Sequence, residues 1–141
     1  MFPFLPTRTG PRNLINSAVG VGTNENGSAH LKDLFGCKVF DFPKPVSLIK
    51  YLLGFQTPEP NDIILDFFAG SGTTGEAVDT MVQEDGIPRQ FILVQLPEEL
   101  ALDHPARQMD CATYADVCRE RLMRAFKKNK SKSGFTSYAV L

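Results

Sequence analysis

Several absences narrow the reading of this 141-residue sequence before any motif does. No apolar stretch approaches the roughly 20 residues needed to cross a bilayer. The start, MFPFLPTRTG, has no basic segment followed by a long apolar run, so neither a membrane span nor a secretory leader is expected. Cysteine is scarce: Cys37, Cys111 and Cys118 are an odd number with no CxxC spacing, which supports neither a disulfide framework nor a paired metal-ligand motif. Cys111 and Cys118 lie two helical turns apart and are expected to be small core residues of a reduced, cytoplasmic protein. His30 and His104 are far apart, with no nucleophile or acid constellation beside either, so no catalytic or metal role is expected of them. An excess of one charge is also missing. The formal net charge of -1 argues neither for nor against nucleic acid, since a basic face can hide inside a neutral total. No internal repeat is visible.

What remains is an ordinary soluble composition, 43% hydrophobic and 22% charged, in a chain long enough to bury a core. Residues 1–30 are rich in Pro, Gly and Asn with little periodicity and read as an irregular segment. Residues 31–141 read as the structured part. In KPVSLIKYLLG, Pro45 suits a first helical turn, Leu48, Ile49, Leu52 and Leu53 form one stripe, and Gly54 suits the stop. IILDFF then reads as a parallel strand buried on both faces. TTGEAVDTMVQEDG has Ala77, Val78, Met81 and Val82 on one helical face, and FILVQL is a second buried strand. Strand, loop, helix and strand make a βαβ unit, hence an α/β fold. Thr113 and Asp116 form a capping box opening a helix. Tyr114, Cys118, Leu122 and Phe126 line that helix, while Arg119, Glu120, Arg124, Lys127 and Lys128 face out. The basic run RERLMRAFKKNKSK reads as a solvated face with a basic tail. FTSYAVL is a candidate third strand.

Between the first strand and the next helix lies Gly70-Ser71-Gly72-Thr73-Thr74-Gly75, which satisfies GxGxxG in the context that matters. Glycines let the chain turn tightly and let a ligand approach the backbone, and the helix start offers N–H groups to an anion. No lysine precedes the Ser/Thr, so a nucleoside triphosphate is not expected. A dinucleotide site wants an acidic residue at the end of the second strand, where this chain has Gln95. S-adenosylmethionine is the third option. Its zwitterionic methionine end suits helix N–H groups for the carboxylate and Asp66, at the strand end, for the ammonium.

DFFAGSGTT closely resembles motif I of the amino-methylating DNA methyltransferases, which act on adenine N6 or cytosine N4. FDFPKPVSLIKYLL resembles their motif X, and FILVQLPE the following strand. The order, X before I, is the permuted β-type arrangement. The series LKDLFG, FDFPKP, DFFAGSGTT, FILVQLPEE, RERLMRAF is most similar to the methylation (Mod) subunit of type III restriction–modification systems, over roughly residues 20–141. The resemblance implies a partial Rossmann-like methyltransferase fold, a parallel sheet with flanking helices, with S-adenosylmethionine as cofactor. Asp66, Phe67, Phe68, Ala69, Gly70 and Gly72 would belong to the cofactor motif, and Ser71, Thr73 and Thr74 would line the methionine carboxylate. Lys44 and Pro45 match the motif X pair; outside FDFPKP, Lys44 would read as a solvated lysine. Gln95 stands where many relatives carry a ribose-binding Glu.

The same resemblance implies a (D/N)PP(Y/F) segment that accepts the amino hydrogen and stacks on a base flipped from the duplex. These 141 residues contain none; neither Asp41-Phe-Pro-Lys nor His104-Pro105 fits. In the permuted order it would lie upstream of motif X, with the target-recognition region. No catalytic residue is therefore assigned, and the chain is expected to be inactive by itself. DNA would be met through the complete enzyme, and the partners would be an upstream catalytic half, another Mod subunit or a restriction subunit. IILDFF would then expose an apolar edge. An interaction module docking on such a half, and a nicotinamide-dinucleotide-binding fragment, are the competing readings.

Overall fold

The computed structural model describes residues 15, 17–56 and 59–139. Helix α1 spans Asn24–Phe35 and begins inside the segment read as irregular to residue 30. The reason is local: the Thr23 hydroxyl accepts the Asn26 N–H while the Asn26 side chain accepts the Thr23 N–H, a capping box built with Asn in place of Glu. Gly27 on this helix packs so closely that an added Cβ would stand 2.3 Å from the Pro43 carbonyl oxygen. Helix α2, Val46–Leu53, starts after Pro45 and stops at Gly54, as its sequence indicates.

Strand β1 (Asp62–Asp66), helix α3 (Thr73–Asp85) and strand β2 (Arg89–Leu93) form the expected βαβ unit. The strands pair in parallel, Asp62 beside Arg89 through Asp66 beside Leu93. Helix α3 ends at Gly86, and Arg89 forks onto both oxygens of Asp85 at 2.8 and 2.6 Å, tying the helix end to β2. That guanidinium holds the Asp85 carboxyl below its ordinary range. Helix α4 (Tyr114–Lys128) opens with the Thr113–Asp116 capping box. It lies across the same face of the sheet as α3, where Phe126 meets Phe91 edge-on with ring centroids 6.3 Å apart.

The core has two parts. Leu31, Phe35, Val39, Leu100, Ala106, Cys111 and Val117 cluster where α1 meets α4 and a short 3₁₀ turn, Pro105–Met109. Leu122, Ala125 and Phe126 cluster against the inner sheet residues Phe91 and Leu93. Cys111 and Cys118 are both buried, but Cys111 precedes α4, so the two do not share a helix face. Burial pushes the Cys118 thiol up to about 11.

Some expectations are corrected. The described residues cover the strands on one face only: Ile63, Leu65 and Ile92 are 60%, 48% and 50% exposed. Over its described part, residues 135–139, the candidate third strand has no regular structure, because Phe135 turns in against Phe126 at 5.8 Å instead of extending along the sheet. Arg124 and Glu120 do not project freely outward, since Arg124 bonds Glu120 at 2.6 Å and the Leu34 carbonyl at 3.1 Å and lies over the Phe35 ring. Among the described residues no helix is long and apolar enough to cross a membrane.

Candidate cofactor site

The chain leaves β1 at Asp66, whose carboxylate organises the turn beyond the strand end. One oxygen accepts the Phe68 N–H at 3.0 Å and the other accepts the Thr74 hydroxyl at 2.6 Å. An ionised carboxylate offers about four lone-pair positions, so acceptor capacity remains. Gly70 and Gly72 then take φ of 54° and 84°, the left-handed region open to glycine. Gln95, just past β2, clips the loop from the side: its carbonyl accepts the Gly70 N–H at 2.7 Å and its amide donates to the Leu96 carbonyl at 3.3 Å. A Glu could make the first bond but not the second.

The glycines are close to protein. A Cβ on Gly72 would lie 3.0 Å from Cys118 Sγ, and one on Gly75 would lie 2.7 Å from Leu122 Cδ2. Both contacts belong to α4, so these two glycines seat a helix against the back of the loop. Gly70 faces the Phe40 ring, 3.3 Å from where its Cβ would be. Outward, Phe67 and Phe68 are 64% and 89% exposed at the strand end.

The hydroxyls of Ser71, Thr73 and Thr74 are buried, and each has a protein partner. The Thr73 hydroxyl donates to the Lys44 carbonyl at 3.2 Å, which fastens the Lys44–Pro45 segment to the loop through backbone. The Lys44 ammonium itself is exposed and lies 3.5 Å from Asn24 Oδ1. Pro45 is buried as the N-cap of α2, and Ala69 is buried beneath the turn with its N–H on the Val94 carbonyl at 3.1 Å. At the start of α3 the N–H groups of Thr73, Thr74 and Gly75 have no carbonyl one turn back within the helix, as in any helix first turn.

The feature that sequence reasoning missed lies behind this turn. Arg121 of α4 is fully buried. Its Nη1 donates to Ser71 Oγ at 2.7 Å and to Thr73 Oγ1 at 2.6 Å, and its Nε donates to Glu76 at 2.9 Å. Glu76, 4% exposed, also meets His30 Nε2 at 2.6 Å. Burial acts to raise the Glu76 carboxyl, but His30 and Arg121 together hold it below its ordinary value. A signal existed: Arg121 stands three residues after Cys118 and four after Val117, on the inward stripe of α4, where a charge needs a partner. Among the described residues no group of three or more His, Cys, Asp or Glu could hold a metal ion.

A family model described as DNA methylase matches residues 14–101. The chain is 37% identical over 117 residues to the type III restriction-modification enzyme StyLTI Mod subunit of Salmonella typhimurium, covering 83% of this chain and 18% of that protein. It is 35% identical over 111 residues to the EcoPI Mod subunit of Escherichia phage P1, covering 79% and 17% respectively. Type II methyltransferase M.KpnI of Klebsiella pneumoniae is 34% identical over 98 residues, covering 70% of this chain and 23% of the relative. The chain therefore spans less than a quarter of the length of each of these relatives.

Proposed function

Because this chain belongs to the DNA methylase family, we propose that it forms the S-adenosylmethionine-binding portion of an adenine-N6 DNA methyltransferase from a restriction–modification system. One observation carries the reading. At the end of β1 the Asp66 carboxylate, with acceptor capacity left, sits bonded to the first turn of α3, whose N–H groups are free of helical partners. A carboxylate and a helix start placed together suit the ammonium and carboxylate of a zwitterionic methionine end. Asp66 holds the ammonium, the α3 start holds the carboxylate, and the exposed Phe68 and Phe67 offer apolar surface to the adenosine. Gln95 keeps Gly70 in position. When bound, the cofactor supplies the methyl group. The chain's own residues bind and orient; none of the 141 is an amine-hydrogen acceptor of the DPPY kind. The site thus serves a catalytic segment supplied elsewhere, and DNA is met through the complete enzyme.

Titration calorimetry of the folded chain with S-adenosylmethionine or S-adenosylhomocysteine tests this. Binding is expected, and Asp66→Asn should weaken it about tenfold or more, the magnitude of one hydrogen bond to a charged group. The chain alone should transfer no labelled methyl to DNA. A folded sample that binds neither ligand would sink the reading.

The open sheet face favours a second reading, an interaction module that completes a separate catalytic half or docks on a restriction subunit. Among the described residues nothing pairs with the free edge of β1. Co-expression with an upstream product bearing a DPPY segment checks it; failure to co-purify removes it.

A further inference from the structure

The guanidinium of Arg121 is buried completely, yet its Nη2 has no hydrogen-bond partner among the described residues. A buried guanidinium is expensive to desolvate, and leaving part of it unpaired adds to that cost. An apolar residue on the same stripe of α4 would pack against the loop without either cost. The arrangement makes sense through what Arg121 does to the two hydroxyls it touches, one on each side of the α3 N-cap, Gly72.

A hydroxyl has one hydrogen to donate and two lone pairs. A guanidinium can only donate, so Ser71 Oγ and Thr73 Oγ1 must both act as acceptors toward Nη1. Thr73 then directs its hydrogen to the Lys44 carbonyl at 3.2 Å. Ser71 has no acceptor for its hydrogen among the described residues. The cation therefore occupies the acceptor side of Ser71 and leaves its O–H as a polarised donor one residue ahead of the α3 N-cap, Gly72. We propose that Arg121 is a positioning residue that fixes Ser71 as a hydrogen-bond donor and so makes the α3 start selective for ligands carrying a carboxylate. Glu76 completes the device. It neutralises the buried cation and, pinned between Arg121 and His30, keeps the guanidinium from turning away from the loop.

The inference rests on the cofactor reading above, and one comparison separates the two. S-adenosylhomocysteine and its decarboxylated analogue differ only in the carboxylate. Their affinities for the full chain and for Ser71→Ala and Arg121→Lys are measured by calorimetry, with urea unfolding as the control for fold. The unaltered chain is expected to prefer the carboxylate-bearing ligand by about ten- to a hundredfold. Both variants should lower that ratio by about threefold or more, the N–H groups of the α3 start keeping the remainder, while leaving affinity for the decarboxylated analogue within about threefold. Arg121→Lys keeps a cation but loses the fork that reaches both hydroxyls. Ser71→Ala leaves the buried ion pair intact, so it carries the test if the Arg121 variant unfolds. An unchanged ratio in Ser71→Ala overturns the inference while the cofactor reading stands, whereas a ratio near one in the unaltered chain overturns the inference together with the seating of a carboxylate at the α3 start. An unaltered, folded chain that binds neither ligand overturns both.

Discussion

Glu76 illustrates how a single buried carboxylate holds several elements at once. It sits in the first turn of α3, accepts Arg121 from α4 and touches His30 of α1. Removing its charge leaves the Arg121 guanidinium buried without a counterion, so Glu76→Gln is expected to cost about 3–5 kcal/mol, read as a lower urea midpoint. The pH dependence has the same origin. The folded carboxyl titrates below the ordinary glutamate value of 4.5, so its contribution is complete above that pH and declines as pH falls through the folded value. Glu76→Gln should therefore flatten the acid limb of the stability curve; an unchanged limb would refute this assignment. Neither Glu76 nor Arg121 announces itself by motif. Asp66 and the glycines are legible in the sequence because their types are rare in such a pattern, whereas the Arg121–Glu76 pair is separated by 45 residues and meets only after α4 has docked.

At the scale of elements, close packing decides which glycines are dispensable. Gly27→Ala would drive a Cβ to 2.3 Å from the Pro43 carbonyl oxygen, a backbone atom that cannot rotate away. Gly86, at φ 72° in open space, faces only the left-handed penalty. Gly27→Ala is expected to destabilise by about 3 kcal/mol or more and Gly86→Ala by about 1–2 kcal/mol, measured by denaturant unfolding. The reverse order would contradict the packing described. The βαβ unit, α2 and the Thr113 cap are readable because apolar period, Pro, Gly and capping residues agree there. Helix α1 is not, because NENGSAHLKDLF mixes poor helix formers with a glycine, and its fit to the Pro43–Pro45 backbone is a tertiary matter. FTSYAVL misleads for a similar cause: β-prone residues make a strand only where a neighbour offers an edge.

For the molecule as a whole, the uncovered sheet face is the dominant surface feature. Ile63, Leu65, Ile92, Val94 and Leu96 are each at least 44% exposed, beside Phe67 at 64%. Parallel strands usually carry a layer on both faces, and an apolar patch of this kind marks an interaction surface. The unbroken apolar text of IILDFF predicts burial on both faces, whereas the described residues cover one. Leu65→Lys with Ile92→Lys should leave the unfolding midpoint nearly unchanged, suppress concentration-dependent self-association in sedimentation and abolish co-purification with a complementing half. Loss of stability comparable to a core substitution would show that this face is structural within the chain.

The link between Arg121 and the glycine turn has a consequence in time. Ser71 and Arg121 are 50 residues apart, so a ribosome working at about 5–20 residues per second delivers the loop several seconds before the helix that backs it. During that interval β1 and β2 can pair, but the turn lacks the guanidinium that sets its hydroxyls and the Cys118 and Leu122 surface against which Gly72 and Gly75 settle. The site's polarity is thus acquired late in synthesis, and any event that halts elongation before α4 would leave a sheet carrying an unset turn.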